Sequence, residues 1–398
     1  MTTTVSWPKV RLGDIGQSLI GLTYSPSNVK RSGTLVLRSS NIQDGRLAFD
    51  DTVYVDSVIP KMIRVQENDI LICVRNGSRR LIGKSVLLDS RVVGETFGAF
   101  MAVYRSDANP FIQYFFQSDN FKAQIDEHLG ATINQITNGS LNSFTVALPS
   151  EVEQAKIVAT LGYVDSLIAT LERLIAKKQT IKQGIMQQLL TGRTRLPGFV
   201  GDWSKATIGS LADQHRRTVD PRKERGRRFQ HFSLPAFDDG ETPVDELGAA
   251  IDSIKLVVPP LAILVSKLNP RIPRIWAPKG IGVNAIASTE FVVMTPSSGI
   301  DRSFLTWLMK SDAVTSRMKL LATGTTGSHA RIHPRQIAAL EVVIPDEAEQ
   351  SSIAAVLDDA SREIALLNDR LVKARDIKAA MMQQLLTGRT RLPVETAS

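Results

Sequence analysis

Met186-Gln-Gln-Leu-Leu-Thr-Gly-Arg-Thr-Arg-Leu-Pro197 occurs twice in this chain, the second time at residues 382–393. The offset of 196 residues extends backwards without a gap through Ile181/Ile377, Lys177/Lys373, Leu171/Leu367, Ile168/Ile364, Leu161/Leu357, Ile157/Ile353, Gln154/Gln350, Glu153/Glu349 and Pro149/Pro345. Trp7/Trp203, Lys9/Lys205 and Gly13/Gly209 carry the same offset near the start of each half. Internal repeats decide an architecture before local propensities do. The chain reads as a tandem duplication in which one long segment stayed alike while the rest diverged.

The alike segment has helical spacing. Ile157, Leu161, Val164, Ile168, Leu171 and Ile175 follow steps of four and three, the seam of a coiled coil. Lys178 and Lys182 interrupt it before Ile185 and Leu189 resume it, and Lys378 recurs at the place of Lys182. Lys182 and Lys378 are expected to reach out to solvent along their apolar stems. Ser150 and Glu153 form a capping box at the entry, and Gly192 and Pro197 supply the stop. No proline lies between Pro149 and Pro197, so each copy predicts about 40 helical residues, about 60 Å of rod.

The diverged segments read as short strands with a few helices. Strands are predicted at 35–37 and 53–55, within 65–78 with a Gly-Ser turn closing it, at 86–88 and 100–104, and in the second half at 231–237 and 261–265. A helix beginning at Pro110 with Ile112, Phe115 and Phe116 on one face has its counterpart at 300–309. The fold class is α+β: two domains of mixed α/β structure, residues 1–149 and 199–345, joined by two long antiparallel coiled-coil helices. The helical segments are 150–198 and 346–398. Connectivity gives the antiparallel sense, because the first helix delivers the chain to the second domain and the second must run back if the seams pack. The domains are expected at opposite ends of a shared rod, related by a pseudo-twofold axis. Duplex DNA has the same local symmetry, so such a pair can read two sites of opposite orientation.

Composition narrows the class. The 398 residues are 43% hydrophobic and 22% charged, ordinary for a chain with packed cores. No apolar run approaches a membrane span, and the first residues lack the pattern of a signal peptide. The single cysteine, Cys73, excludes an intrachain disulfide framework, suits a reducing cytoplasm, and sits in an apolar run as a buried thiol. The net charge is +8, of which residues 199–345 carry +5, pointing to a polyanionic partner.

Catalytic motifs are missing. Leu268-Asn-Pro-Arg271 is the nearest approach to a methyltransferase Asn-Pro-Pro-Tyr motif and fails after its first proline, and there is no phosphate-binding Gly-x-x-x-x-Gly-Lys-Ser/Thr loop. His329 and His333 have a metal-like spacing, but in a loop with no cysteine or acid nearby to finish a site.

The chain resembles the specificity subunit of a type I restriction-modification system. The resemblance covers essentially the whole length. It rests on Leu189-Leu-Thr-Gly-Arg-Thr-Arg-Leu196 and its repeat, the Pro149/Glu153-Gln154 and Pro345/Glu349-Gln350 helix entries, and two domain patterns. One is Arg38-Ser-Ser-Asn-Ile42 followed by Asn68-Asp-Ile-Leu-Ile72, Arg75-Asn-Gly-Ser78 and Leu81-Ile-Gly-Lys84. The other is Ser233-Leu-Pro-Ala-Phe-Asp238 followed by Ile263-Leu-Val-Ser-Lys-Leu-Asn-Pro270. The resemblance implies a non-catalytic reader of double-stranded DNA with two target-recognition domains. Its target would be two unlike half-sites around an unread spacer. It would hold two methyltransferase subunits and, with them, ATP-dependent restriction subunits. No cofactor is expected on this chain; the partners are expected to use S-adenosylmethionine, ATP and magnesium.

Base reading needs paired donors or acceptors, chiefly arginine for guanine and asparagine or glutamine for adenine. In the first domain Arg75, Asn76, Ser78, Arg79 and Arg80 crowd a turn behind an apolar strand, with Arg38, Asn41 and Lys84 supplied by the neighbouring motifs. In the second, Lys267, Asn269, Arg271 and Arg274 occupy the corresponding turn, Leu71/Leu264 and Asn76/Asn269 aligning at an offset of 193. His329 and Arg331 are expected in a DNA-facing loop. The basic stretch 216–228, containing Arg222, Lys223, Arg225, Arg227 and Arg228, is expected to contact phosphates, which orient a protein without reading sequence.

Overall fold

A computed structural model describes residues 7–129, 134–324 and 329–393. The first six residues, on which the signal-peptide reading rests, and residues 325–328 of the histidine-bearing loop lie outside them. The chain forms two compact units: Met1–Leu171 with Arg370–Ser398, and Glu172–Asp369. Each unit is therefore one diverged domain plus the start of one long helix and the end of the other, so the boundaries run through the helices.

The long helices are Glu151–Leu189 and Glu347–Leu385. Every residue of the first seam from Ile157 to Ile175 is buried, as are Ile353, Leu357, Ile364, Leu367, Leu371 and Ala374 of the second. Within each unit the helices run antiparallel. In the first unit Lys378 meets Asp165, and in the second Lys178 meets Glu363 while Arg195, just past its helix, meets Glu349. The seam lysines do not simply reach solvent as expected. The Lys378 ammonium lies 5.5 Å from the Tyr114 ring and 2.7 Å from Asp165, and Lys182 lies 5.4 Å from the Trp307 ring. Both dock the rod onto a helix of the adjoining domain, Asn109–Phe116 in the first unit and Arg302–Lys310 in the second.

The repeated Thr-Gly-Arg-Thr-Arg-Leu-Pro ending has a structural purpose. Gly192 and Gly388 end their helices at φ +68° and +70°, the left-handed region that favours glycine, and each packs on a tryptophan, Trp203 or Trp7. Arg195 then donates to both carboxylate oxygens of Glu349 at 2.6 Å, and Trp203 Nε1 donates to the same carboxylate at 3.2 Å. In the first unit Trp7 Nε1 donates to Glu153 at 3.4 Å and Arg391 lies 3.8 Å from it. The looser copy follows from capping: Glu153 also accepts from Ser150, whereas Asp346 caps the second helix and leaves Glu349 to Arg195. This knot ties the end of one helix to the start of the other.

The diverged domains share a frame. The first has an antiparallel sheet in the order Gln17–Ile20, Met101–Arg105, Ile70–Cys73, Ser85–Leu87. The second repeats it as Ala212–His215, Phe291–Pro296, Ile263–Ser266, Ile275–Trp276. Helices Asn109–Phe116 and Arg302–Lys310 pack beside them, with Asp301 capping the latter by accepting from Phe304 N at 2.8 Å. The single apolar face expected for Asn109–Phe116 is too narrow, since Phe111, Gln113 and Tyr114 are buried too. The stretch 231–237 is not one strand. Arg228–Phe232 is a strand, and Ser233 caps a short helix, Leu234–Asp238, whose first turn holds Pro235. Divergence is greater in the second sheets, of four strands in the first unit and five in the second, which share one parallel pair and the antiparallel strand beside it. Cys73 is buried in the first core, and burial pushes its thiol up. Among the described residues no helix is long and apolar enough to cross a membrane.

Candidate nucleic-acid interface

The strand Ile70–Cys73 is wholly buried, and so is Ile263–Ser266. Each leads into the turn that carries the candidate base readers. A rigid strand holds the turn that follows it to a defined place, which recognition demands. The hydrogen bonds beneath the two turns are the same. Val74 N donates to Phe100 O at 3.1 Å, and Lys267 N to Glu290 O at 2.8 Å. Ile136 N donates to Val74 O at 2.8 Å, and Ile332 N to Lys267 O at 3.0 Å. Arg75 bridges to Gln135 through the backbone, and Leu268 to Arg331. Three positions are thereby equated across the units: Arg75 with Leu268, Phe100 with Glu290, Gln135 with Arg331.

The frame is kept and the side chains are exchanged. In the first unit the Arg75 guanidinium stands over the Phe100 ring, 5.2 Å from its centroid, and Phe100 is 60% exposed. The ring faces solvent beside an exposed arginine and is not part of the core. In the second unit the guanidinium comes from the third position: Arg331 donates to the two oxygens of Glu290 at 3.2 and 3.1 Å. That pairing raises the Arg331 pKa further above its ordinary value. Phe100, Gln135 and Glu290 escaped the sequence reading. Phe100 looks like the first residue of a buried strand, and the other two come from loops whose pairing is set only by the fold.

The remaining candidates divide by what holds them. Asn76 Oδ1 accepts from Ser78 N at 3.0 Å, shaping the first turn; Arg75 and Ser78 are exposed there. Arg79, Arg80 and Lys84 turn to another cleft, about 530 Å³, shared with Lys122, Asp119 and Asp126, and Arg79 pairs with Asp126 at 3.4 Å. Arg38 pairs with Asp51 at 2.7 Å. Asn41 is fully buried, and its amide is spent on the carbonyls of Ala48 and Asp51 and on Arg38 N. As placed it builds the loop and has no edge to offer a base, contrary to its reading as a DNA contact.

In the second unit Asn269 adopts φ +47°, half-buried, with its backbone N bonded to Ala330 O at 2.7 Å. Arg271 is exposed and makes no hydrogen bond or ion pair among the described residues. Arg274 does not present itself to DNA as expected. It grips Asp238 through two hydrogen bonds of 2.7 and 2.8 Å, with its side chain 13% exposed, and holds that carboxyl below the usual range. His329 and His333 are exposed, and His333 Nδ1 accepts from Arg335 N at 3.3 Å as a helix cap.

The stretch 216–228 is ordered rather than a loose basic loop. It contains the strand Thr218–Val219, a 3-10 turn Pro221–Lys223, and the start of the strand Arg228–Phe232. Gly248 packs against the carbonyls of Pro221 and Glu224 where no Cβ would fit. Arg222 forks onto Asp220, and Arg227 is held by Glu224, Asn284 and the Phe229 ring. Lys223, Arg225 and Arg228 are exposed without such partners among the described residues.

Residues 4–183 match the family described as type I restriction modification DNA specificity domain. The chain is 27% identical over 225 residues to the StySPI type I restriction enzyme specificity subunit of Salmonella potsdam, covering 52% of this chain and 48% of that one. It is 26% identical over 202 residues to the EcoKI specificity subunit of Escherichia coli strain K12, covering 47% and 43% respectively. These matches span about half the length of the curated relatives. The fold as a whole is similar to that of a type I restriction-modification S subunit from M. genitalium, with a TM-score of 0.58, 13% identity, and 100% of this chain and 98% of that one covered. The family match covers a little under half of the chain, residues 4–183, and over its whole length the likeness to the S subunit is one of fold.

Proposed function

We propose that this chain is the DNA-reading subunit of a type I restriction-modification complex. It recognises a bipartite, asymmetric target, one half-site per domain, and directs adenine methylation and ATP-dependent restriction by partner subunits in the cytoplasm. The observation that carries the reading is the pair of recognition turns: one hydrogen-bonded frame, with Arg75, Phe100 and Gln135 in one copy and Leu268, Glu290 and Arg331 in the other. A catalytic device duplicated for one reaction would keep its side chains. A device duplicated to read two sequences would keep its frame and change them. Chemistry then belongs to the partners, which would supply S-adenosylmethionine, ATP and magnesium.

Two methyltransferase subunits fit the duplication. Leu190 and Thr191 line a cleft of about 620 Å³ in the second unit, with Ala313 on its wall. Their repeat equivalents Leu386 and Thr387 line one of about 360 Å³ in the first, with Ala379 on its wall. Identical residues on two equivalent clefts suit two copies of one partner. Ala379→Trp or Ala313→Trp, each filling one cleft at an exposed alanine, is expected to leave one methyltransferase per chain by native mass spectrometry. Two retained in both variants would place the partner elsewhere.

Lys223, Arg225 and Arg228 are the cations of their stretch left for phosphate. Replacing all three by alanine in the assembled complex is expected to weaken binding to every duplex alike. It should also make the plot of log affinity against log salt shallower by roughly two to three. An unchanged slope would show that the stretch is only solvated.

A further inference from the structure

We propose that a cavity of about 550 Å³ beside the second recognition turn is a phosphate site, gripping the DNA backbone at the flank of the half-site read there. The inference rests on the DNA-reading role above and adds a site to it. His215, Arg216, Lys267, His333 and Arg335 line the cavity, and no aspartate or glutamate among the described residues does. Cations gathered on one concave surface repel one another and focus a positive potential into it, which an anion relieves. Several of them are held in place by their surroundings. Gln214 Oε1 accepts from the Arg216 guanidinium at 2.9 and 3.3 Å, and His215 Nε2 shares a hydrogen at 2.8 Å with Thr295 Oγ1. Lys267 is anchored by main-chain bonds on both its N and its O, yet its half-buried side chain makes no hydrogen bond or ion pair among the described residues. The Arg335 side chain makes none either.

The fold does not require this charge. Strand register equates His215 with Leu19, because His215 pairs with Val293 beside Leu264 and Leu19 pairs with Val103 beside Leu71. Arg216 then corresponds to Ile20, and Lys267 to Val74. His333 caps its short helix as Thr137 caps the equivalent one, which equates Arg335 with Gly139. Five positions that are cationic or imidazole in one unit are therefore uncharged in the other. The location suits a backbone phosphate: Lys267 immediately precedes Leu268, and Thr289 of the cavity wall immediately precedes Glu290, two of the three reading positions. Bases at the turn and a phosphate in the cavity would lie on adjoining parts of one duplex.

The test uses the full chain assembled with its methyltransferase partner and duplexes carrying single neutral methylphosphonate linkages along the target. One or two linkages flanking one half-site should weaken binding by the unaltered complex. The same linkages should cost the R216Q/K267Q/R335Q variant nothing further, and its salt dependence should be shallower by roughly two to three. The R216K/K267R/R335K variant keeps the charges and should restore the methylphosphonate penalty, which separates a phosphate contact from a folding defect. A penalty undiminished in the glutamine variant, or an unchanged salt slope, overturns the proposal. Calorimetry with inorganic phosphate distinguishes a site for a free anion. Heat that disappears in the glutamine variant, with no methylphosphonate effect on the unaltered complex, would also overturn the DNA grip. If the unaltered complex binds all sequences equally, the DNA-reading role fails instead, while the methylphosphonate comparison still decides the cavity.

Discussion

Asp69→Ala is expected to destabilise the first unit by about 3 kcal/mol, the lower end of the cost of removing one partner of a buried ion pair. Asp69 is 1% exposed and accepts from Arg105 Nε and Nη2, both at 2.7 Å, and from Gln66 N at 2.8 Å. It stands immediately before Ile70–Cys73, and Arg105 ends the neighbouring strand, so the pair locks together the two strands under the first recognition turn. Alanine strands a guanidinium that is 19% exposed, and that residual access to water selects the lower figure. The second unit has no ion pair at the equivalent place among the described residues. Its equivalent position is Ala262, and Arg302 donates there to the carbonyls of Leu261, Ala262 and Pro278. Native-state hydrogen exchange is the right measurement, because a chain of two units has no single unfolding free energy. Amides of Ile70–Cys73 should exchange about a hundredfold faster, the equivalent of 3 kcal/mol, while those of Ile263–Ser266 keep their rates. Equal acceleration in both would show that the two units unfold together.

Arg75→Ala is expected to relax base preference at a single half-site by about 1–3 kcal/mol, roughly five- to 150-fold in the affinity ratio of right to wrong base. Arg75 is exposed, sits on a buried strand, and has the Phe100 ring beneath it. Phe100→Leu should keep the bulk, remove the cation–π contact, and cost less, about 0.5–1 kcal/mol at such an exposed site. Competition binding of the assembled complex against single-base target variants measures both. A uniform loss on every sequence would make Arg75 a phosphate contact.

The parts that depend on local spacing were legible in the sequence. The seam from Ile157 to Ile175, the Ser150–Glu153 box and the glycine stops all report their surroundings within a few residues, and the duplication extends the seam and the stops to a second copy. The site was legible as two turns but not as a set of side chains. Arg274 and Asn41 read like DNA contacts because arginine and asparagine favour them, but Asp238 and the carbonyls of Ala48 and Asp51 claim them first. Lys182 and Lys378 read as solvent-bound because the rings that receive them lie far away in sequence. Trp7, Arg391 and Glu153 each matched their repeat partners, yet only the fold brings the three together. In the stretch 231–237 the local signal was present, serine two residues before proline, and it marks a helix start that an apolar run obscured.

The central claim is that the two turns read separate halves of one target. Methylated-adenine mapping in cells that carry the chain with its partner subunits tests it most directly, for the unaltered chain and for Arg75→Ala and Arg271→Ala. The account predicts one motif of two unlike half-sites around an unread spacer. Arg75→Ala should degrade bases in one half only and Arg271→Ala in the other only. A single contiguous motif, or two variants that degrade the same half-site, would contradict it.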